Sequence, residues 1–219
     1  RLGPFDIDAY TARRMMTEHG NPNGRPNSAV VRPISNGHDV MQRAAQRYII
    51  DFGADTPIDQ AAQYEMPFEY VVQHVKPYRE KSRSAVRDAR WWLHLWPRPE
   101  LRRAIAHLPR YLVTPAVSKH RVFAWLTSDV VPDVKLFAFA RADDYFMGVL
   151  QSTTHTLWTL RTCSWQGVGN DPVYRPSTTF EPFSLPWPPG QEQFDDPRVI
   201  AIGDAARDLV EKRDRWLNP

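Results

Sequence analysis

Cysteine is nearly absent from this chain. Cys163 stands alone among 219 residues, so no internal disulfide can form, and a reducing, cytoplasmic setting is expected. No apolar run approaches the roughly 18–20 residues that a membrane-spanning helix needs, and no stretch has the basic, apolar and small-residue order of a signal peptide. Lysine is scarce, with 5 residues against 23 arginines. The signatures of common catalysts are missing too. There is no glycine-rich phosphate loop before a helix, no CxxC or HExxH pair, and no GxSxG elbow. The 7 histidines are scattered without ligand spacing. These absences argue against nucleotide-dependent, zinc-dependent and serine-hydrolase chemistry within the chain.

What remains is an ordinary globular composition, with 42 % hydrophobic and 24 % charged residues and length enough for a substantial core. Net charge is only +3, but the cations are mostly guanidinium groups. Arginine presents a planar donor fork that matches phosphate and the guanine edge. The same excess would also follow from codon usage or a preference for arginine at surfaces. The chain opens on Arg1 and not on Met, as expected of a processed chain or, by preference, of a piece of a longer polypeptide.

Residues 1–45 read as mostly irregular, with turn clusters at Asn21–Gly24 and Asn36-Gly37. The β-branched run Arg47–Phe52 predicts a strand. Thr56 and Pro57 then predict a helix start, with Thr56 as the cap. The following helix should turn Ala61, Tyr64, Phe68, Val71, Val75 and Tyr78 to the core, with Pro67 and Pro77 kinking or dividing it. Its exit is basic: Lys76, Arg79, Lys81, Arg83, Arg87 and Arg90. Pro99 opens a short helix. Strands are expected at 110–114, 121–126 and 134–140. Asp143 or Asp144 should cap one helix carrying Phe146, Val149, Leu150, Leu157 and Leu160 inward. Gly167–Pro176 reads as a loop, and a last helix over 196–216 should bury Ile202, Ala205, Leu209 and Trp216.

Two segments carry chemistry suited to a polyanion. Ser118-Lys119-His120-Arg121 joins two apolar strands, and three potential cations there could project together toward phosphate or form a solvated loop. Residues 161–177 supply Arg161, Thr162, Ser164, Gln166, Asn170, Asp171, Arg175 and Ser177. These are the types that read base edges, arginine to guanine, glutamine or asparagine to adenine, aspartate to cytosine; the alternative is a plain polar connection. Trp91, Trp92 and Trp96 could stack on a displaced base, though core packing or contact with another domain suits them better. Asp143-Asp144 reads as a helix cap in preference to a catalytic pair, and His155 as a structural histidine.

Six blocks in order carry a resemblance. They are VVRPISNGHDV (Val30–Val40) with RYIIDFG (Arg47–Gly53), PFEYVVQHVKPYREKSR (Pro67–Arg83), WWLHLWPRPELRRAI (Trp91–Ile105), RYLVTPAVSKHRVFAWL (Arg110–Leu126), ARADDYFMGVLQSTTHTLW (Ala140–Trp158) and YRPSTTFEPFSLPWP (Tyr174–Pro188). Together they resemble the target recognition domain of the MmeI-like family, single-chain restriction–modification enzymes of type IIL within type IIG. The resemblance spans residues 3–190.

It implies a parent polypeptide with an endonuclease and an S-adenosylmethionine-dependent adenine-N6 methyltransferase, with Mg for cleavage. This chain has neither the methyltransferase's glycine and NPPY-type motifs nor a PD…ExK nuclease motif, so it is expected to be non-catalytic and to bind no cofactor itself. The expected partners are double-stranded DNA and the methyltransferase and endonuclease domains of the same polypeptide, with no membrane contact. The resemblance assigns base readout to Arg161, Ser164, Gln166, Asn170, Asp171 and Arg175. It assigns backbone contact to Lys119, His120 and Arg121, with Arg141, Ser177, Thr178 and Thr179 as further phosphate candidates. The expected architecture is α+β: a mixed or antiparallel sheet with flanking helices over residues 1–190, and a C-terminal helical region beginning at 191–219. The rival readings are a protein-binding scaffold and a small metal-dependent hydrolase using Asp143, Asp144 and His155.

Overall fold

A computed structural model describes residues 2–18, 20–83 and 90–217, so Arg87 lies outside the described residues. The architecture is α+β with a long C-terminal helix. Contacts divide the chain into two compact units, Arg1–Ile34 with Ala45–Arg103 and Asp129–Val131, and Ser35–Ala44 with Ala104–Ser128 and Pro132–Pro219.

The first unit is built on an antiparallel ladder of β1 (Asp6–Asp8), β2 (Val31–Ser35) and β3 (Arg47–Ile50). β3 is central, pairing Ile7 with Tyr48 on one side and Arg32 with Ile49 on the other; β6 (Val131–Pro132) completes the order β1-β3-β2-β6. The first 45 residues are thus more regular than their turn clusters suggest. Asp8 starts α1 (Ala9–Thr17) by accepting a 2.7 Å hydrogen bond from Thr11 N, and the apolar residues that follow it bury Ala12 and Met15.

The predicted long helix is divided, but not at its prolines. A single turn, α3 (Ile58–Ala61), stops before α4 (Glu65–Glu80). Thr56 does not cap α3, because its hydroxyl donates to Phe52 O and Pro57 holds the cap position. Pro67 falls in the first turn of α4, where its missing N–H has no intrahelical partner to lose. Ala61, Tyr64, Val71 and Val75 face the core as expected, whereas Tyr78 is exposed and its neighbour Arg79 is buried. Arg79 is therefore not part of a basic surface: Nε donates to Leu2 O at 2.8 Å and Nη2 to Leu93 O at 3.0 Å. Trp91 and Trp92 pack against this core, and Trp92 Nε1 donates to Thr56 O at 2.9 Å.

A buried carboxylate organises the same unit. Asp51 accepts from both terminal nitrogens of Arg102, on α5 (Pro99–Ile105), at 2.8 and 2.9 Å, and from Gly53 N at 3.0 Å. His94 stands 4.0 Å away and hydrogen-bonds Ile50 O at 3.0 Å. Burial opposes ionisation of Asp51, but His94 once protonated, the charge of Arg102 and the hydrogen bonds from Arg102 and Gly53 hold its carboxyl below the usual range.

The second unit centres on β4 (Arg110–Pro115), which pairs antiparallel with β5 (Ala124–Thr127) and β7 (Leu136–Phe139). Tyr111, Leu112 and Val113 are fully buried, as an apolar run between two ladders requires. Asn36 and Gly37 do not form a free turn. Asn36 caps α2 (Gly37–Met41) in a reciprocal box with Asp39.

The helix expected after Asp143 is two helices. Asp143 does cap α6 (Asp144–Gln151), accepting from Phe146 N at 2.8 Å. Ser152 is then extended and caps α7 (Thr153–Thr162), accepting from His155 N at 3.2 Å. That interruption resets the helical phase, so α7 buries His155 and Thr159 and leaves Leu157 and Leu160 exposed. The C-terminal helix α8 (Pro197–Leu217) likewise buries Val199, Gly203 and Ala206 in place of Ala205, Leu209 and Trp216.

Gly148 explains the α8 face. A Cβ there would lie 2.6 Å from Ile202 Cγ2 and 2.8 Å from Ile202 O. Only hydrogen lets α6 and α8 approach so closely, and the closest point of α8 becomes the stripe around Ile202, Gly203 and Ala206. Gly148→Val should therefore lower stability by about 1–3 kcal/mol through overpacking, read as an earlier denaturant midpoint. An unchanged midpoint would show that the helices can separate freely.

Candidate nucleic-acid interface

The segment expected as a loop at 167–176 is most of a β-hairpin in the second unit. β8 (Ser164–Gln166) and β9 (Asp171–Val173) pair antiparallel, with Ser164 opposite Val173 and Gln166 opposite Asp171. Gly167 and Gly169 take positive φ, +67° and +87°, which non-glycine residues adopt with strain. The turn they form also carries Val168, between them, and Asn170, after them.

This hairpin is stitched to the β4–β5 connection. Val117 bridges Val173, Tyr174 N donates to Ala116 O at 2.7 Å, and Ser118 N donates to Pro172 O at 3.4 Å. The two polyanion-suited segments of the sequence are thereby neighbours. Lys119 and His120 are exposed on one, and Ser164, Gln166 and Asn170 are exposed on the other, with Asp171 half-buried. Arg161 lies exposed on the last turn of α7. Arg175 is exposed immediately before a π-helical turn, Pro176–Phe180, on which Ser177 and Thr178 are also exposed.

Three assigned residues are instead held inside the fold. Thr179 is fully buried, and its hydroxyl donates to Arg175 O and accepts from Arg175 N at 3.1 Å; it shapes the π-helical turn. Arg141 pairs with Asp143 and Glu192, both at 2.8 Å, with its guanidinium 4.9 Å from the Phe146 ring. Arg121 is only 8 % exposed. Its Nη1 donates to Thr114 Oγ1 at 3.0 Å and to Pro115 O, and its plane lies 4.8 Å from the Tyr174 ring. Burial pulls its pKa down to about 10. The sequence gives no local sign of this, because Arg121 follows Lys119 and His120, which are both exposed.

A recess of about 240 Å³ opens beside these residues, lined by Lys119, His120 and Arg121, by Thr156, Thr159 and Leu160 of α7, and by Pro172 of β9. The α7 residues were not among the expected site residues. Their one signal is the spacing of Thr156, Thr159 and Leu160, which shares a helix face once Ser152 restarts the helix. Trp165 and Val168 were also missed. They are 49 % and 94 % exposed on the hairpin, and glycines on both sides of Val168 would have signalled the turn.

The residues of the hydrolase alternative are used otherwise. Asp143 caps α6. Asp144 pairs with Arg110 at 2.7 Å and Arg207 at 3.2 Å. His155 is fully buried, 2.7 Å from Leu150 O through Nδ1 and 3.3 Å from Tyr174 Oη through Nε2; burial lowers its pKa to about 4. Among the described residues no group of three or more His, Cys, Asp and Glu side chains could hold a metal ion. No described helix is long and apolar enough to cross a membrane.

No protein-family model matches the chain, and no curated protein does. Among solved structures it is similar to the Type IIL restriction-modification enzyme MmeI, determined in complex with DNA, with a TM-score of 0.68 and 17 % identity. That likeness covers 98 % of this chain and 27 % of the MmeI chain. The chain therefore shares its fold with about a quarter of a longer protein.

Proposed function

We propose that this chain is the sequence-specific duplex-DNA recognition module of a restriction–modification polypeptide. The observation that carries the reading is the hairpin at 164–173, whose exposed Ser164, Gln166 and Asn170 stand beside the Lys119–His120 connection to which it is joined. A two-stranded ribbon fits the B-DNA major groove, which is about 12 Å wide. Gln166, Asn170 and Asp171 sit at its turn, with Arg161, Ser164 and Arg175 beside its base, and these six would read base edges. Lys119, His120, Ser177 and Thr178 would set register through phosphates. Arg141 and Thr179 would act from within the fold, Thr179 by holding the Arg175 backbone. The likeness to a DNA-bound restriction–modification enzyme supports the reading at the level of the fold.

On this reading residues 1–190 form the recognition domain and 191–219 begin a C-terminal helical region packed on it. The methyltransferase and endonuclease domains of the same polypeptide would supply catalysis, with S-adenosylmethionine and Mg bound there and the target adenine flipped there. The module itself would be non-catalytic and cytoplasmic.

Two substitutions separate the roles. Lys119→Ala should weaken binding to all sequences alike and reduce the slope of log affinity against log salt by about 0.9, as expected for one lost phosphate contact. Arg175→Ala should relax preference at one base pair by about 1–3 kcal/mol. Both are read from binding isotherms on matched and mismatched duplexes. A changed base preference in Lys119→Ala would overturn its phosphate role.

A further inference from the structure

The arginine at the recess is held by one nitrogen only. Arg121 Nη1 is anchored on β4 through Thr114 and Pro115, while Nε and Nη2 are buried with no hydrogen-bond partner. Those two atoms form the side edge of the guanidinium, the edge that Arg198 presents to both carboxylate oxygens of Asp196, at 3.0 and 2.7 Å. It is the donor pair that matches two oxygens of one tetrahedral or planar anion. Thr159 Oγ1, on the same lining, is also buried without a partner. Leaving such groups unsatisfied is costly, and more so when they are charged.

The polar side chains of the lining suit a negative guest, beside the apolar Leu160 and Pro172. Lys119 and His120 form its exposed part, and Arg121 and Thr159 its buried part. No carboxylate lies among the lining residues. Neither Tyr174 nor the backbone carbonyls around Arg121 supply a formal countercharge. The volume is several times the roughly 30 Å³ that one water occupies, so an oxyanion enters with part of its hydration.

We infer that the recess between the 119–121 segment and α7 is a binding site for a single phosphate group. The Arg121 side edge grips two oxygens, Thr159 donates to one, and Lys119 closes the mouth. The guest is either a backbone phosphate of a duplex or a free phosphate or phosphomonoester. This inference does not depend on base readout by the hairpin, since inorganic phosphate would fill the recess even if no duplex bound.

The test is a titration of the full chain with inorganic phosphate against chloride at matched ionic strength, following the melting temperature. A saturable rise specific to phosphate is expected. Lys119→Ala and Thr159→Val should each raise the half-saturating concentration about fivefold or more. Thr159→Val is the discriminating variant. Removing an unpartnered buried hydroxyl should leave the phosphate-free melting temperature unchanged or higher, so weaker binding cannot be blamed on a damaged fold. Arg121→Lys keeps the charge but not the paired donors and should weaken binding at least tenfold; the other two variants decide the matter if it does not fold. No saturable response in the wild-type chain, or the same response in Lys119→Ala and Thr159→Val, would overturn the site. A duplex with unphosphorylated ends that displaces phosphate supports the backbone source, and phosphate binding that duplex leaves untouched supports the free one.

Discussion

Arg102→Met should destabilise the protein by about 3–5 kcal/mol. The Asp51 side chain is 1 % exposed, and Arg102 supplies its closest countercharge through two hydrogen bonds. Methionine would fill much of the same space but leave a buried carboxylate facing only Gly53 N, the more distant Arg32 at 3.7 Å and His94 at 4.0 Å. The loss is the desolvation of an uncompensated charge, not the worth of the pair, so Arg102→Met combined with Asp51→Leu should recover a large part of it. Denaturant unfolding of the single and double variants at neutral pH checks both statements. A loss under about 1 kcal/mol in the single variant would show that water reaches Asp51.

Mild acid should unfold both units before most carboxylates titrate. Among the described residues each unit buries one histidine that burial keeps neutral, His94 in the first and His155 in the second. Burial lowers both from the ordinary 6.5 to about 4. The unfolded chain therefore takes up these protons at higher pH than the folded chain. The stability that rests on neutral histidine is complete above pH 6.5 and is lost as pH falls toward about 4. A shift of this size corresponds to about 3 kcal/mol for each histidine. Asp51 works in the same direction but later, because its lowered carboxyl keeps its contribution until below its ordinary 3.8. Unfolding free energy measured stepwise from neutral pH downward should fall across this window, and His155→Gln should flatten the fall in the second unit. A flat profile across the window would contradict burial of neutral imidazoles.

The elements that could be read from the chain are those whose periodicity coincides with their burial. Val71 and Val75 on α4, and the continuous apolar run of β4, show their burial directly in their spacing. The errors have physical causes. A single capping serine, Ser152, divides a helical pattern that is otherwise continuous, and every apolar position after it is displaced. Gly148 decides which side of α8 is buried, and that information lies in another helix. Arg79 and Arg121 look like surface cations because nothing local records the carbonyls that receive them. The candidate site was legible as two polar segments. Their adjacency was not, since it depends on the Val117–Val173 bridge between residues far apart in the chain.

The most direct test of the central claim is retention of a randomised duplex pool by the chain at low and moderate salt, followed by sequencing of what is kept. Salt-sensitive retention is expected, with enrichment of one short motif that is lost at one position in Arg175→Ala. No retention at either salt would contradict it and turn attention to protein partners for exposed aromatics such as Trp96 and Trp216.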